Sequence, residues 1–299
     1  MMTQLFWRSM VFGFAATAIC SAGGMVSVGD DEKAVAEKTA AKDSETKADE
    51  ESGEDSKKAS LAQIAIRGLA EQCVFEPVIE AGKESTPFKL RSEPLLRYGD
   101  PTRDIGNSAV WVWMDQDVPA MFQKIEVNVH QGSNDKWTWC FANGSSQKVK
   151  CGWPQVKRQA VEADFVPLKP VPGNPEVKAN SGALALTARQ LSRQFTAKDE
   201  KDELRLLPRP LLEFQSDEKD IRYGAVYAMA TGTNPSMLLI LQTEKTDTGE
   251  RWVFRGVHTT AYRVDLQFDG KTVWEDPPQS PSEVSTWGYF FTSRPGNIK

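Results

Sequence analysis

Few residues in this chain combine types and spacings that could do chemistry. Histidine is the scarcest, with only His130 and His258. A hydrolytic triad needs just one histidine beside a nucleophile and an orienting acid. No Gly-x-Ser-x-Gly elbow is present to hold such a serine, so both rings read as strand residues, at the surface or half-buried. Zinc chemistry has no handle either, because neither His-Glu-x-x-His nor Cys-x-x-Cys occurs. Phosphate-cradling glycine loops and Walker patterns are also missing. The sequence therefore assigns no catalytic residue, no metal ligand and no cofactor. Carboxylates are plentiful at 41 Asp+Glu, and two of them flanking a cleft can hydrolyse a glycoside. That keeps one enzymatic alternative, a carboxylate-dependent hydrolase acting on an extracellular polymer.

Cysteines and tryptophans carry the remaining candidates. Cys140 and Cys151 flank Asn143-Gly144-Ser145-Ser146, a turn that would set them opposite each other across a hairpin. In an oxidising compartment the pair is expected to bond, contributing about 3 kcal/mol by closing the loop. Cys73 falls on the apolar side of a helical pattern and reads as an inert core thiol. Trp111 and Trp113 share one strand face, as do Trp137 and Trp139, by the two-residue period. Four indoles side by side would form an aromatic ligand face for sugars or apolar molecules. The competing expectation is that they fill space between sheet and helix, as the bulk at Tyr227, Met229, Trp252 and Phe254 does further on. The densest basic candidate is Lys148-Val149-Lys150, with Lys157-Arg158 a few residues on, which suits a solvated face rather than nucleic-acid binding.

The elements that must position these residues come in two sets. Pro94-Leu95-Leu96-Arg97-Tyr98 recurs 116 residues later as Pro210-Leu211-Leu212-Glu213-Phe214. At the same offset Asp104-Ile105 meets Asp220-Ile221, Ala109-Val110 meets Ala225-Val226, and Pro119 and Met121 meet Pro235 and Met237. After a one-residue shift Asp135-Lys136-Trp137 lies against Glu250-Arg251-Trp252. Each set opens on a helical spacing: Leu61, Ile64, Ala65, Leu69 and Cys73, then Leu184, Ala188, Leu191 and Phe195. Strand-like runs follow at 88–98, 108–114, 120–129 and 136–142, and again at 203–214, 224–230, 236–243 and 251–257. Asp269-Gly270 marks a tight hairpin between 264–268 and 271–274. Consecutive hairpins leave no room for parallel crossovers. The fold expected is α+β, two tandem similar modules, each a helix packed on a curved antiparallel β-meander. Pro167, Pro170, Pro172 and Pro175 separate the sets, where neither helix nor ladder should persist.

Leu204-Arg205-Leu206-Leu207-Pro208-Arg209-Pro210-Leu211, followed by Gly224-Ala225-Val226-Tyr227, resembles uncharacterised exported proteins of planctomycete bacteria with an internally duplicated domain. The resemblance spans residues 61–299. It implies export and duplication and brings no reaction with it.

Charge and hydropathy set the boundaries. Of the formal −5, residues 30–60 hold all five units, as 11 acidic residues against 6 lysines, with almost no apolar residues. Such a segment cannot bury enough surface to order itself and reads as a tether. Ahead of it, lone Arg8 precedes the apolar run 10–19 and small residues at Cys20-Ser21-Ala22, the layout of a secretion signal. The division expected is 1–22 signal peptide, 23–60 disordered charged linker, 61–166 first module, 167–182 Pro-rich linker and 183–299 second module. The function expected is that of an exported, periplasmic or cell-surface, non-enzymatic binding or structural protein. Its partner would be an unknown protein, a glycan or a small apolar ligand, and the membrane only if the N-terminal segment is retained.

Overall fold

The computed structural model describes residues 62–79, 85–128, 136–152, 161–200, 202–281 and 283–293. The expected signal peptide, the charged tether and His130 lie outside the described residues. Helix α1 covers 62–71. Nine strands follow: β1 (Val74–Pro77), β2 (Lys89–Leu90), β3 (Leu96–Asp100), β4 (Ile105–Asp115), β5 (Val118–Asn128), β6 (Lys136–Asn143), β7 (Val149–Gly152), β8 (Val161–Ala163) and β9 (Lys169–Pro170). Helix α2 (Ser181–Ser192) then leads to β10 (Phe195–Asp199), β11 (Glu203–Leu206), β12 (Leu212–Ser216), β13 (Ile221–Thr231) and β14 (Asn234–Thr246). The chain continues through β15 (Gly249–His258), β16 (Val264–Phe268), β17 (Lys271–Asp276) and β18 (Trp287–Ser293). Among the described residues every strand pairing is antiparallel, and two α-helices stand against eighteen strands. The chain is therefore α+β with sheet predominating.

Registers repeat at the spacing seen in the sequence. Lys89 and Leu90 face Met114 and Trp113; 116 residues on, Arg205 and Leu206 face Ala230 and Met229. The β3–β4 ladder skips between Tyr98 and Asp100, and the β12–β13 ladder skips between Phe214 and Ser216. Both β-turns into the long strands put an aspartate at positive φ, Asp104 at 53° and Asp220 at 52°. Val127 faces Trp137, and Thr243 faces Trp252, which carries the one-residue shift. Asp269 (φ 46°) and Gly270 (φ 76°) form the expected two-residue turn, with both central residues left-handed.

A nine-stranded sheet runs β17-β16-β10-β11-β13-β14-β15-β9, with β12 also on β13, and curls around α2. Asn180 caps that helix by accepting from the Ala183 N–H at 2.8 Å, and Leu184, Ala188 and Leu191 face the sheet. A six-stranded sheet, β18-β6-β5-β4-β2 with β3 also on β4, carries the first core, closed by α1 and the small sheet β1-β7-β8. The buried face of α1 is Ile66, Leu69 and Ala70, whereas Ile64, placed on that face by the spacing, is 65% exposed. Cys73, just beyond the helix end, is buried in the same core as Ile66, Leu69 and Ala70, so the buried stripe runs through 66, 69, 70 and 73 and leaves Ile64 outside it.

The remaining faces of the two large sheets pack on each other. Val110, Val112 and Phe122 from one meet Val226, Ala228, Leu238 and Ile240 from the other in one shared core. Two exchanges lock that contact. The strand after β8 is β9, which crosses to pair with β15 in a two-residue ladder inside the Pro-rich stretch, where no ladder was expected. Pro170 still permits pairing because β9 is an edge strand. The strand after β17 is β18, which crosses back and pairs with β6 from Trp287–Ala142 to Ser293–Lys136.

Trp287 is wholly buried where β18 joins the shared core. Replacing it with alanine should cost about 3–5 kcal/mol in urea unfolding and lower the midpoint of both halves together. Separate transitions with one half unaffected would contradict the interlock.

Candidate functional site

The shared core ends in two clefts, one at each end of the sheet-on-sheet contact. The first, of about 360 Å³, lies between β4, β5 and the 144–147 turn on one side and β13, β14 and β15 on the other. The second, of about 320 Å³, lies between β4, β5, β6 and β18 on one side and the Asn234 and Thr259–Tyr262 turns on the other. The two are built from matching positions. Lys219, Ile221, Gln242 and Arg255 in the first stand 115 or 116 residues after Arg103, Ile105, Glu126 and Cys140 in the second. Gly144, Ser145, Ser146 and Gln147 match Thr259, Thr260, Ala261 and Tyr262 in the same way.

Each cleft has one buried cation that reaches the opposite sheet. In the second cleft this is Lys124, which is 5% exposed. Its Nζ donates to Asn234 Oδ1 at 2.8 Å and the Pro235 carbonyl at 2.9 Å, and meets Glu126 Oε1 at 3.1 Å. Three acceptors use all three ammonium protons, one acceptor carrying the opposite charge. Tyr98 donates its hydroxyl to the same Glu126 oxygen at 3.0 Å, and burial pushes that phenol well above its ordinary range. In the first cleft the cation is Arg255, 3% exposed, which donates to the carbonyls of Gly144 and Ser145 and to Ser146 Oγ at 2.7 Å. Burial lowers this guanidinium to about 10. The cations occupy opposite members of matching cross-strand pairs: Lys124 faces Cys140, and Arg255 faces Ile240.

Cleft carboxylates are taken up by cations. Asp115 pairs with Lys219 across the sheets, Glu244 with Arg251, and Glu126 with Lys124. No two of them stand free as an acid and base pair. His258 is equally committed. Its Nε2 donates to the Tyr262 carbonyl at 2.7 Å, its Nδ1 meets Asp276 Oδ2 at 3.0 Å, and its ring stacks on Trp287 at 4.0 Å. Asn143, the matching residue, donates to the Gln147 carbonyl at 2.8 Å, so both side chains pin the turn that follows. Among the described residues no group of three or more His, Cys, Asp or Glu could hold a metal. A wider hollow of about 600 Å³ beside α2, with Pro172, Leu191, Phe268 and Val273 in its wall, is the more apolar.

Two expectations about the site are overturned. Trp111, Trp113, Trp137 and Trp139 are at most 4% exposed and pack beneath α1 with Phe75, so they form core and no aromatic ligand face. The expected Cys140–Cys151 bond is not made, and all three described cysteines are free. Strand β6 pairs with β5 and β18, while β7 pairs with β1 and β8, so the two cysteines belong to different sheets. Cys140 faces the shared core and Cys151 the first core. The residues that matter in the clefts, Lys124, Glu126, Gln242 and Arg255, were not singled out by motif. Their available signal was a charged or polar residue inside an apolar strand run, as in Met121-Phe122-Gln123-Lys124-Ile125-Glu126-Val127. No helix is long and apolar enough to cross a membrane among the described residues. No protein-family model, curated protein or solved structure matches this chain.

Burial pushes the thiols of Cys73 and Cys140 up to about 12 and that of Cys151 higher still. Thiolate is the reactive form. Folded protein at pH 8 should therefore resist iodoacetamide at Cys73, Cys140 and Cys151, and urea should expose those three to alkylation without prior reduction, read residue by residue by peptide mass mapping. Rapid labelling of any of these three in the folded chain, or a need for reductant at them, would contradict this arrangement.

Proposed function

We propose that this chain is an exported protein of two similar tandem α+β modules, each a helix on a curved antiparallel meander, that binds a partner and catalyses no reaction. The repeated registers and the matching aspartate turns support the module reading. On that reading the modules are related by a local two-fold, and each gives its exit strand, β9 or β18, to the other's sheet. Export rests on the apolar N-terminal segment and on the resemblance to exported planctomycete proteins. A periplasmic or cell-surface address follows from it, with the acidic 30–60 segment as tether.

One observation carries the binding reading: every carboxylate in the clefts, and the described histidine, is spent on holding the fold together. What is left for a partner is shape and hydrogen-bonding capacity in paired inter-sheet clefts. A glycan or small ligand fits such hollows better than a flat protein face does.

The test is turnover. Full-length protein incubated with chitin, pectin and peptidoglycan should release no reducing ends above a heat-denatured control. Steady release that disappears in Asp115→Asn or Glu244→Gln would establish the hydrolase alternative instead.

A further inference from the structure

The two clefts match in position and differ in charge. In the second, the buried cation has its own carboxylate, Glu126, at 3.1 Å. The residue 116 positions later in the first cleft is Gln242, a neutral amide. Arg255 there has no carboxylate within ion-pair distance among the described residues, and its three acceptors are two carbonyls and a hydroxyl, all neutral. Its Nε–H, buried from solvent, has no partner. The Gln242 side chain, 8% exposed, likewise makes no hydrogen bond among the described residues. The other charges of the cleft cancel, Lys219 with Asp115 and Arg251 with Glu244. One buried positive charge is thus left over, beside two unused hydrogen-bonding groups, in a hollow of about 360 Å³ that opens to solvent.

A buried charge without a counter-ion is costly, and the usual remedy is a paired anion. We propose that the first cleft binds a small organic carboxylate, which supplies to Arg255 from outside what Glu126 supplies to Lys124 from within. The carboxylate would accept from the Arg255 Nε–H and from the Gln242 amide. Planar carboxylate geometry suits a guanidinium donor edge, and the matching cleft already stabilises that group. Ser146 lines the same cleft and adds a hydroxyl. The proposal gives the ligand class for one cleft of the binding protein described above, and so rests on that function. It also predicts that the clefts are unequal, with the second self-neutralised and indifferent to anions.

Thermal unfolding of the full chain tests it, with sodium acetate and sodium succinate as probes and sodium chloride at equal ionic strength as reference. Carboxylate should raise the midpoint by about 3–6 °C near saturation, beyond the chloride effect. Gln242→Glu places the missing carboxylate inside the cleft. That variant should melt higher than wild type without added anion and lose the carboxylate-dependent rise. Arg255→Lys should weaken the response at least tenfold in concentration, and Gln242→Glu keeps the test decisive if the arginine variant does not fold. Equal effects of acetate and chloride on wild type would overturn the site. So would a Gln242→Glu protein that melts lower or keeps the full response. A larger response to inorganic phosphate than to carboxylate would overturn the ligand class. Polymer turnover, by contrast, would sink the non-enzymatic function while leaving these titrations to decide the anion site.

Discussion

The structure depends on one packing constraint: two antiparallel sheets pressed together, each also covered on its far face. A sheet wet on one side can alternate apolar and polar residues, but one covered on both sides cannot. Strand β14 is accordingly buried at every position from Asn234 to Thr243, and β13 from Tyr223 to Ala230. Burial of side chains such as Phe122, Leu238 and Trp287 supplies much of the stability, at roughly 25 cal/mol per Å² of apolar surface. Glycine is needed where a ring crosses the sheet. A Cβ at Gly224 would stand 2.2 Å from the Phe214 ring, and one at Gly256 would stand 2.6 Å from Trp274.

Polar side chains survive in that contact only where it frays, and there they are used in pairs or to catch carbonyls. Lys124 and Arg255 each take up backbone oxygens from the facing sheet or the turn beside it. These are structural uses of charge. They explain why the clefts are rich in ionisable groups and yet poor in available ones. Removing one member of such a set leaves the other buried and unpaired, which costs more than the pair contributed.

Much of the architecture could be read from residues, and the reasons for the misses are physical. The offset of 116 between Pro94 and Pro210 coincides with the ladder registers because turn residues and bulges, which fix register, are local. The hairpin at Asp269-Gly270 was legible for the same reason. The tryptophans were ambiguous, since period two puts Trp111 and Trp113 on one face without saying what covers it. The cysteine pairing failed because Asn143-Gly144-Ser145-Ser146 turns the chain out of one sheet into another instead of closing a hairpin. The crossing of β18 to β6 was invisible, as pairing across so long a separation leaves no local signature. The cleft residues were missed with it: Glu126 and Gln242 acquire meaning only once the sheets are face to face.

That crossing also sets a clock. Strand β6 ends at Asn143, and its partner opens at Trp287, so the first sheet waits for roughly 140 residues of further synthesis before its edge is covered. At ordinary translation rates of 5–20 residues per second the wait is about 7–30 s. Throughout it, an aromatic-rich strand carrying Trp137, Trp139 and Phe141 offers open backbone groups to any passing strand. Until β18 is made, that edge is the place where the nascent chain is most open to mispairing.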